Sequence, residues 1–264
     1  MSVTGDLEYV LSDDEVQLVA GMAGVQSLPT VLAVTPRHGG ATLDAAAGRL
    51  SARGLIFGDV VDDDLSELLT VLQRPDRELA MRLVTPDGIA RVSIARRGAR
   101  GVMARRVGSR YLLSPLPDAD LGSATRAVLA ELPTADAAPI EPVGAPLDAM
   151  VESIGDTHDG PQIADRLCAL GAESRAAILI GSALATRRAF AEIVYFALAV
   201  ERDRIERGPA AVAVLYTKRG RIVASPSASP TGQLWTTLKP GTDRAIAAAV
   251  GQLVGLPDEG WESL

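Results

Sequence analysis

The spacing of apolar residues changes period along the chain, and it starts helical. Ser12-Asp13-Asp14-Glu15 has the spacing of a capping box, in which a hydroxyl and a carboxylate satisfy each other's orphan helix amides. Val16, Val19, Ala20 and Ala23 then share one helical face, and Gly24 supplies a stop. Pro29 and Pro36 bound a short apolar run, residues 31–34, which predicts a buried strand. A second helix fits residues 43–53 before Gly54. A third opens at Asp64-Leu65-Ser66-Glu67 with the stripe Leu65, Leu68, Leu69 and Leu72. After Pro75 the period drops to two. Leu79, Met81 and Leu83 alternate with Arg82 and Val84, Pro86-Asp87-Gly88 makes a turn, and Ala90, Val92 and Ile94 alternate with Arg91 and Ser93. Arg97-Gly98 and Gly108-Ser109 turn into two more strands, completing an antiparallel meander. A helix over 119–132 ends at Pro133. Residues 134–146, with Pro139, Pro142 and Pro146 among small side chains, read as a linker.

Beyond it, Ile163, Leu167 and Leu170 mark an amphipathic helix stopped by Gly171, and residues 173–184 complete a helical hairpin. Strands fit 189–200, 210–217, 221–224 and 233–238, and a last helix runs from a Thr242 cap to residue 254. The two halves echo each other. Each has an apolar strand, an Arg-Gly turn, a second strand, a Pro-containing stretch, an Ala-rich helix and a Leu-Pro stop. The Arg-Gly turns lie 122 residues apart and the Leu-Pro stops 124 apart. Nearly constant spacing across unlike features predicts a duplication. The expected fold class is α+β: a pseudo-twofold duplication of an α/β unit, with a central, mostly antiparallel sheet flanked by helical bundles. Its halves would be residues 1–138 and 139–264, integrated in one domain.

Composition narrows the chemistry. Of 264 residues 47% are hydrophobic but only 3% aromatic, so the core must be aliphatic. Cys168 is the single cysteine, which excludes an intrachain disulfide and a zinc ribbon. Only two of the 26 basic residues are lysines, Lys218 and Lys239, a bias that fits a GC-rich coding background. A net charge of −7 argues against coating nucleic acid or anionic lipid. The acidic start lacks the basic and apolar regions of a secretory signal. The longest smooth apolar stretch, 176–185, is about half of the roughly 20 residues that span a bilayer. These features predict a soluble cytoplasmic protein without membrane insertion.

Few residues offer catalysis. His38 sits in a loop composition, Thr35-Pro36-Arg37-His38-Gly39-Gly40. His158, between Asp156 and Asp159, could share a metal or carry a raised pKa, but Asp and Gly at that density form turns first, and no second His or Cys lies near. Cys168 falls on the apolar side of its helix, where a small buried thiol is the ordinary role. Asp62-Asp63-Asp64 lacks the alternating ligands of a calcium loop and sits where a helix start favours negative charge. No Walker loop, dinucleotide fingerprint or nucleophile elbow occurs. Arg96, Arg97, Arg100, Arg105, Arg106 and Arg110 form the densest charge cluster, with Tyr111 alone beside it. Without a stacking platform, these arginines are expected at turns and on the solvent face, serving solubility or an acidic protein rather than nucleic acid. No cofactor or metal is expected, and the missing catalytic parts favour a protein that binds another protein. A small-molecule-binding domain or divergent enzyme, using a groove between the halves with His158, Asp156 or Asp159, is the alternative.

The order of segments resembles a known family. Thr30-Val31-Leu32-Ala33-Val34, then Leu72-Gln73-Arg74-Pro75-Asp76-Arg77-Glu78-Leu79, then Arg96-Arg97-Gly98 and Leu170-Gly171-Ala172-Glu173-Ser174-Arg175 are similar to the EspG family. Ala191-Glu192-Ile193-Val194, Gly220-Arg221-Ile222-Val223, Trp235-Thr236-Thr237-Leu238-Lys239-Pro240-Gly241-Thr242, Leu256-Pro257 and Trp261 continue the series in order over nearly the whole chain. EspG proteins are cytosolic chaperones of actinobacterial type VII (ESX) secretion. The resemblance implies a non-enzymatic chaperone that grips the apolar tip of the PPE protein in PE–PPE heterodimers, keeps it soluble and helps deliver it for secretion. It also implies contact through a sheet face, a hairpin loop and the C-terminal helical bundle. The corresponding loop here, Thr85-Pro86-Asp87-Gly88, is short, so the long loop of some relatives is missing.

Such a surface needs apolar anchors within a polar rim. The candidate sheet positions are Arg82, Arg91, Ser93, Glu192 and Val194, beside the turn Thr85, Pro86, Asp87 and Gly88. On the helices the candidates are Ile163, Leu167, Ile178 and Leu184, although apolar residues at helical spacing are mostly core. Strand parity alone does not say which sheet face is covered, and weak self-association is left open.

Overall fold

The computed structural model describes residues 8–34 and 40–263, so the predicted loop role of His38 lies outside the described residues. The first half runs β1 (Tyr9–Ser12), α1 (Asp13–Met22), α2 (Gly40–Ala52), β2 (Ile56–Phe57), β3 (Val60–Val61), α3 (Asp63–Gln73), β4 (Arg77–Thr85), β5 (Gly88–Arg97), β6 (Arg100–Val107), β7 (Arg110–Pro115) and α4 (Leu121–Glu131). The second runs β8 (Val143–Pro146), α5 (Leu147–Gly155), α6 (Gly160–Ala169), α7 (Ser174–Leu184), β9 (Arg187–Ala199), β10 (Arg204–Thr217), β11 (Gly220–Ala228), β12 (Leu234–Pro240) and α8 (Asp243–Val254). Apart from the small β2–β3 ribbon, the order is the same: one strand, three helices, four strands, one helix.

Ten strands form one antiparallel sheet in the order β1-β7-β6-β5-β4-β9-β10-β11-β12-β8. Exchanging equivalent strands of the two halves turns this order into its own reverse, so a pseudo-twofold axis passes between β4 and β9. The duplication predicted from the echo is therefore built into the sheet. Its phase needs a small correction. The tight turns are Gly98-Ala99 and Lys218-Arg219, because Arg97 pairs with Arg100 and Thr217 with Gly220. The Arg-Gly pairs thus occupy neighbouring, not equivalent, turn positions.

Local chemistry explains most helix starts. The Ser12 hydroxyl accepts from the Glu15 amide at 3.3 Å while a Glu15 carboxylate oxygen accepts from the Ser12 amide at 2.9 Å, completing the capping box. The Asp62 carboxylate accepts from the Leu65 amide at 3.1 Å, so the aspartate run opens α3 as a cap. Two predicted elements are different. Residues 31–34 are not a strand: Thr30–Leu32 form a 3-10 turn after Pro29, and Ala33 ends it in the left-handed region at φ 49°. Leu32 is buried within that turn, so four apolar residues served a single tight turn instead of a ladder. Nor is 134–146 a free linker. Ala137 bridges to Arg221, Ala138, Ile140, Val143 and Ala145 are buried, and β8 adds an edge strand beside β12.

Parity on the central strands separates the layers. Leu79, Met81 and Leu83 of β4, Val92 and Ile94 of β5, Ile193 and Tyr195 of β9 and Val212 and Val214 of β10 share one face. They form a single core with Val128 of α4 and Ile246, Val250 and Leu253 of α8. Among the described residues, helices cover the opposite face only toward its ends, and the Thr30–Leu32 turn lies between them. On one side α1, α2 and α3 pack over Val102, Ala104 and Leu113. On the other, α5, α6 and α7 pack over Leu215, Ile222, Ala224 and Leu238.

Candidate protein-binding face

Between the two helical bundles, among the described residues, the middle of the sheet is covered only by the Thr30–Leu32 turn, which packs on β4, β5 and β6 and leaves a narrow groove beside it. Strand register fixes what lies there. Arg91, Arg82 and Glu192 make one cross-strand row, Ser93, Ala80 and Val194 the next, and Ala95, Glu78 and Phe196 a third. Directly paired residues project to the same face. All five sheet positions chosen from the sequence, Arg82, Arg91, Ser93, Glu192 and Val194, therefore share the face that α4 and α8 do not cover, but Ser93 and Val194 are buried there and only Arg82, Arg91 and Glu192 are accessible to a partner. Ala80, Phe190 and Phe196 complete the floor and were missed. A signal for them exists: β9 is apolar on both parities, with Ala191, Ile193, Tyr195 and Ala197 on one side and Phe190, Val194 and Phe196 on the other. A strand apolar on both sides needs cover on both sides.

The polar groups of this face are held by one another. Arg82 reaches Glu192 at 3.2 Å and lies over the Phe190 ring, 5.7 Å from its centroid. Arg91 donates to the Val31 carbonyl at 3.3 Å, tying the floor to the 3-10 turn. Ser93 is fully buried and donates its hydroxyl to Glu78 at 2.6 Å. Burial pushes the Glu78 carboxyl up to about 7, and the Ser93 hydroxyl only partly offsets this by hydrogen-bonding the charged form. The result is an apolar floor over one buried acid that holds its proton up to about pH 7, with a fixed row of charges at its edge.

The hairpin turn is where it was expected. Thr85 pairs with Gly88, leaving Pro86-Asp87 as a two-residue turn at the end of the open face, with Pro86, Asp87 and Gly88 exposed. The Thr85 hydroxyl braces it, accepting from the Asp87 amide at 3.3 Å. The helix candidates divide. Ile163, Leu167 and Leu184 are completely buried where α6 and α7 pack on the sheet, so they are core and present nothing to a partner. Helical spacing places apolar residues inward, and on these two helices that is where they went. Ile178 is different, standing 60% exposed on α7.

The remaining candidate chemistry is used internally. Asp156 pairs with Arg166 at 2.5 Å, which holds its carboxyl below the usual range, and Asp159 caps α6 through the Gln162 amide. Among the described residues no group of three or more His, Cys, Asp and Glu side chains is placed to hold a metal. The groove on the open face, where the halves meet, measures only about 190 Å³; small-molecule sites usually take roughly 300–1,000 Å³. The arginine cluster divides: Arg97, Arg100 and Arg110 stand exposed at hairpin ends as expected, while the others brace the fold. Arg96 is buried and donates to the Trp261 carbonyl, Arg97 donates to the Thr70 carbonyl at 3.3 Å, and Arg100 pairs with Glu67. Arg105 pairs with Glu131 at 2.7 Å and Arg106 with Asp13 at 3.3 Å. No helix of the described residues is long and apolar enough to cross a membrane.

Relatives agree with this picture. The ESX-3 secretion-associated protein EspG3 of Mycolicibacterium smegmatis is 28% identical over 95% of this chain and 88% of its own length. The ESX-5 secretion-associated protein EspG5 of Mycobacterium marinum is 26% identical over 80% of this chain and 79% of its own. The Mycobacterium tuberculosis type VII secretion system chaperone EspG5, solved in complex with a PE25-PPE41 dimer, shares the fold. It superposes with a TM-score of 0.84 over 97% of this chain and 99% of that one, at 19% identity. The EspG family profile matches residues 12–252, most of the chain, and on that ground this protein belongs to the EspG family.

Proposed function

We propose that this protein is a chaperone of type VII secretion that binds the apolar tip of the PPE subunit in PE–PPE heterodimers, keeps it soluble and helps hand it to the secretion machinery. It does this from the cytoplasm, by binding alone, with no catalytic step. The observation that carries the reading is the groove at the middle of the sheet. Phe190 and Phe196 present half-buried apolar surface there over buried Ala80 and Val194, and fixed charges edge it. Covering such a floor with an apolar helical tip removes both surfaces from water, the main favourable term in association. The edge charges then set orientation rather than affinity.

In mechanism, the two halves, residues 1–138 and 139–264, both line the floor, the second supplying Phe190, Val194 and Phe196 and the first Ala80, and their bundles act as walls. The sheet is supported from behind by α4 and α8, so the floor is rigid before the client arrives, which lowers the ordering cost of binding. The Thr85–Gly88 turn closes one end. Because it is short, the sheet and the walls carry more of the contact. Co-expression with the host's PE–PPE pairs, followed by size-exclusion chromatography, tests this. A cognate pair co-elutes with the chaperone as a stable complex; failure to co-elute with every pair of the host refutes the proposal.

A further inference from the structure

The apolar floor does not end where β4 ends. β4 pairs with β9 from Val84–Phe190 to Arg77–Ala197. Past that point β9 pairs only with β10, Leu198 with Ile205 and Ala199 with Arg204. Leu198 continues the alternation of Val194 and Phe196, and its partner Ile205 projects to the same face. The stripe therefore runs off the edge of β4 onto a projecting hairpin. On it Ile205 is 38% exposed, while Val200 at the tip, 71% exposed, lines a cleft with Arg77, Asp258 and Ser263 toward the α4–α8 side.

This tip is held in shape. Val200–Arg202 form a 3-10 turn that ends on Asp203 in the left-handed region at φ 51°. Arg74, next to the end of α3, pairs with Asp203, and Glu206 receives Arg202 at 2.8 Å and Arg204 at 3.0 Å. Holding an apolar side chain out in water on an ion-paired frame has no value for folding, since exposure forgoes its burial. The pseudo-twofold gives the feature a meaning. β4–β5 and β9–β10 are equivalent hairpins at opposite ends of one open face. Ile89, 44% exposed on β5, sits at one end as Ile205 sits at the other.

We propose that the β9–β10 hairpin, through Leu198 and Ile205, is a second arm of the client contact, closing on the apolar helical tip of the PPE subunit opposite the Thr85–Gly88 turn. This rests on the reading of the open face as the client site, with which the arm's apolar stripe is continuous. The arm takes up the contact that the shortened first hairpin does not make.

The test uses a purified cognate PE–PPE pair and biolayer interferometry on the full chain. The double variant Leu198→Ser/Ile205→Ser weakens binding about tenfold or more, from the loss of two aliphatic groups buried in the complex. Val60→Ser, an exposed apolar position on β3 outside the main sheet, leaves binding within twofold. A second readout needs no variant: hydrogen exchange of amides 198–206 slows when the pair binds. If the wild-type chain binds and the double variant binds equally well, or those amides exchange at the free rate, the arm is wrong and the open-face reading stands. If the wild-type chain binds no pair, both fall.

Discussion

Gly181 on α7 offers a sharp test of the packing beneath the C-terminal wall, because two effects of opposite sign compete there. Replacing a helix-interior glycine by alanine stabilises a helix by about 1 kcal/mol through backbone entropy. At Gly181 the added methyl would stand 2.3 Å from the Gly160 carbonyl oxygen and 3.1 Å from the Ala164 amide nitrogen of α6. Those are backbone atoms of a neighbouring helix and cannot rotate away. The helices must separate, taking with them Ile163 and Leu167, which depend on that closeness for burial. Overpacking of this kind costs about 1–3 kcal/mol, and contact with backbone places it at the upper end. The net effect of Gly181→Ala is a loss of about 2 kcal/mol, or roughly 6 °C in melting temperature for a chain of this size. Gly48 in α2 is the internal control. It is exposed, with nothing within 4 Å of an added methyl, so Gly48→Ala should raise the melting temperature by about 3 °C. Thermal melts followed by circular dichroism, with urea midpoints at constant slope, measure both. A Gly181→Ala protein that melts at or above the wild type would refute the account of this helix crossing.

Further outcomes follow from single residues. Glu78 keeps its proton more tightly in the fold than in the unfolded chain, so its contribution to stability is full below about pH 4.3 and is lost as pH rises through about 7. Glu78→Gln, which can still accept from Ser93, should flatten that dependence and be more stable than wild type by on the order of 3 kcal/mol at pH 8; parallel pH profiles from urea titrations would contradict this. Trp261 anchors the C-terminal strap. It is 1% exposed, its indole donates to the Ala119 carbonyl at 2.9 Å, and its own carbonyl accepts from buried Arg96. Trp261→Ala should cost about 3–5 kcal/mol, since releasing the strap also takes the Gly260 and Ser263 carbonyls from buried Arg77; a urea-measured loss below about 1 kcal/mol would show that the strap is not structural.

Much of this fold was legible in the chain because local and long-range signals agreed. The Ser12–Glu15 box, the leucine stripe of α3 and the alternation through β4 and β5 each specify one structure. The repeated order of features exposed the duplication before any strand was paired. Illegible elements were those whose conformation is set by distant partners. Residues 31–34 carry strand-like side chains, but Pro29 and the contact with Arg91 settle them as a turn. The segment 134–146 has linker composition, yet Gly220 leaves it room: a methyl there would stand 2.7 Å from the Ala138 amide nitrogen. The small residues of that segment were compatible with close packing all along. Period two puts the five sheet positions of the candidate site on one face, but which face the helices leave uncovered was not legible, because alternation alone does not choose between the two sides. Ile163, Leu167 and Leu184 were misassigned because an amphipathic helix shows one apolar stripe whether it faces a core or a partner. Arg96 and Arg106 could not be placed from the sequence, since a charged side chain at a hairpin gives no sign that a carbonyl waits behind it.

The central claim is that the client lies on the groove at the middle of the sheet. Phe196 lines the groove and is half-buried, not buried, and a long charged side chain there would project into the groove while leaving the α4–α8 core untouched. The affinity of a Phe196→Arg protein for a cognate PE–PPE pair, measured beside its melting temperature, tests this most directly. The account predicts a loss of roughly 100-fold or more, as expected when a charge is forced into an apolar interface, with melting changed by only a few degrees. Affinity within threefold of wild type, from a protein that melts normally, would place the client elsewhere and contradict it.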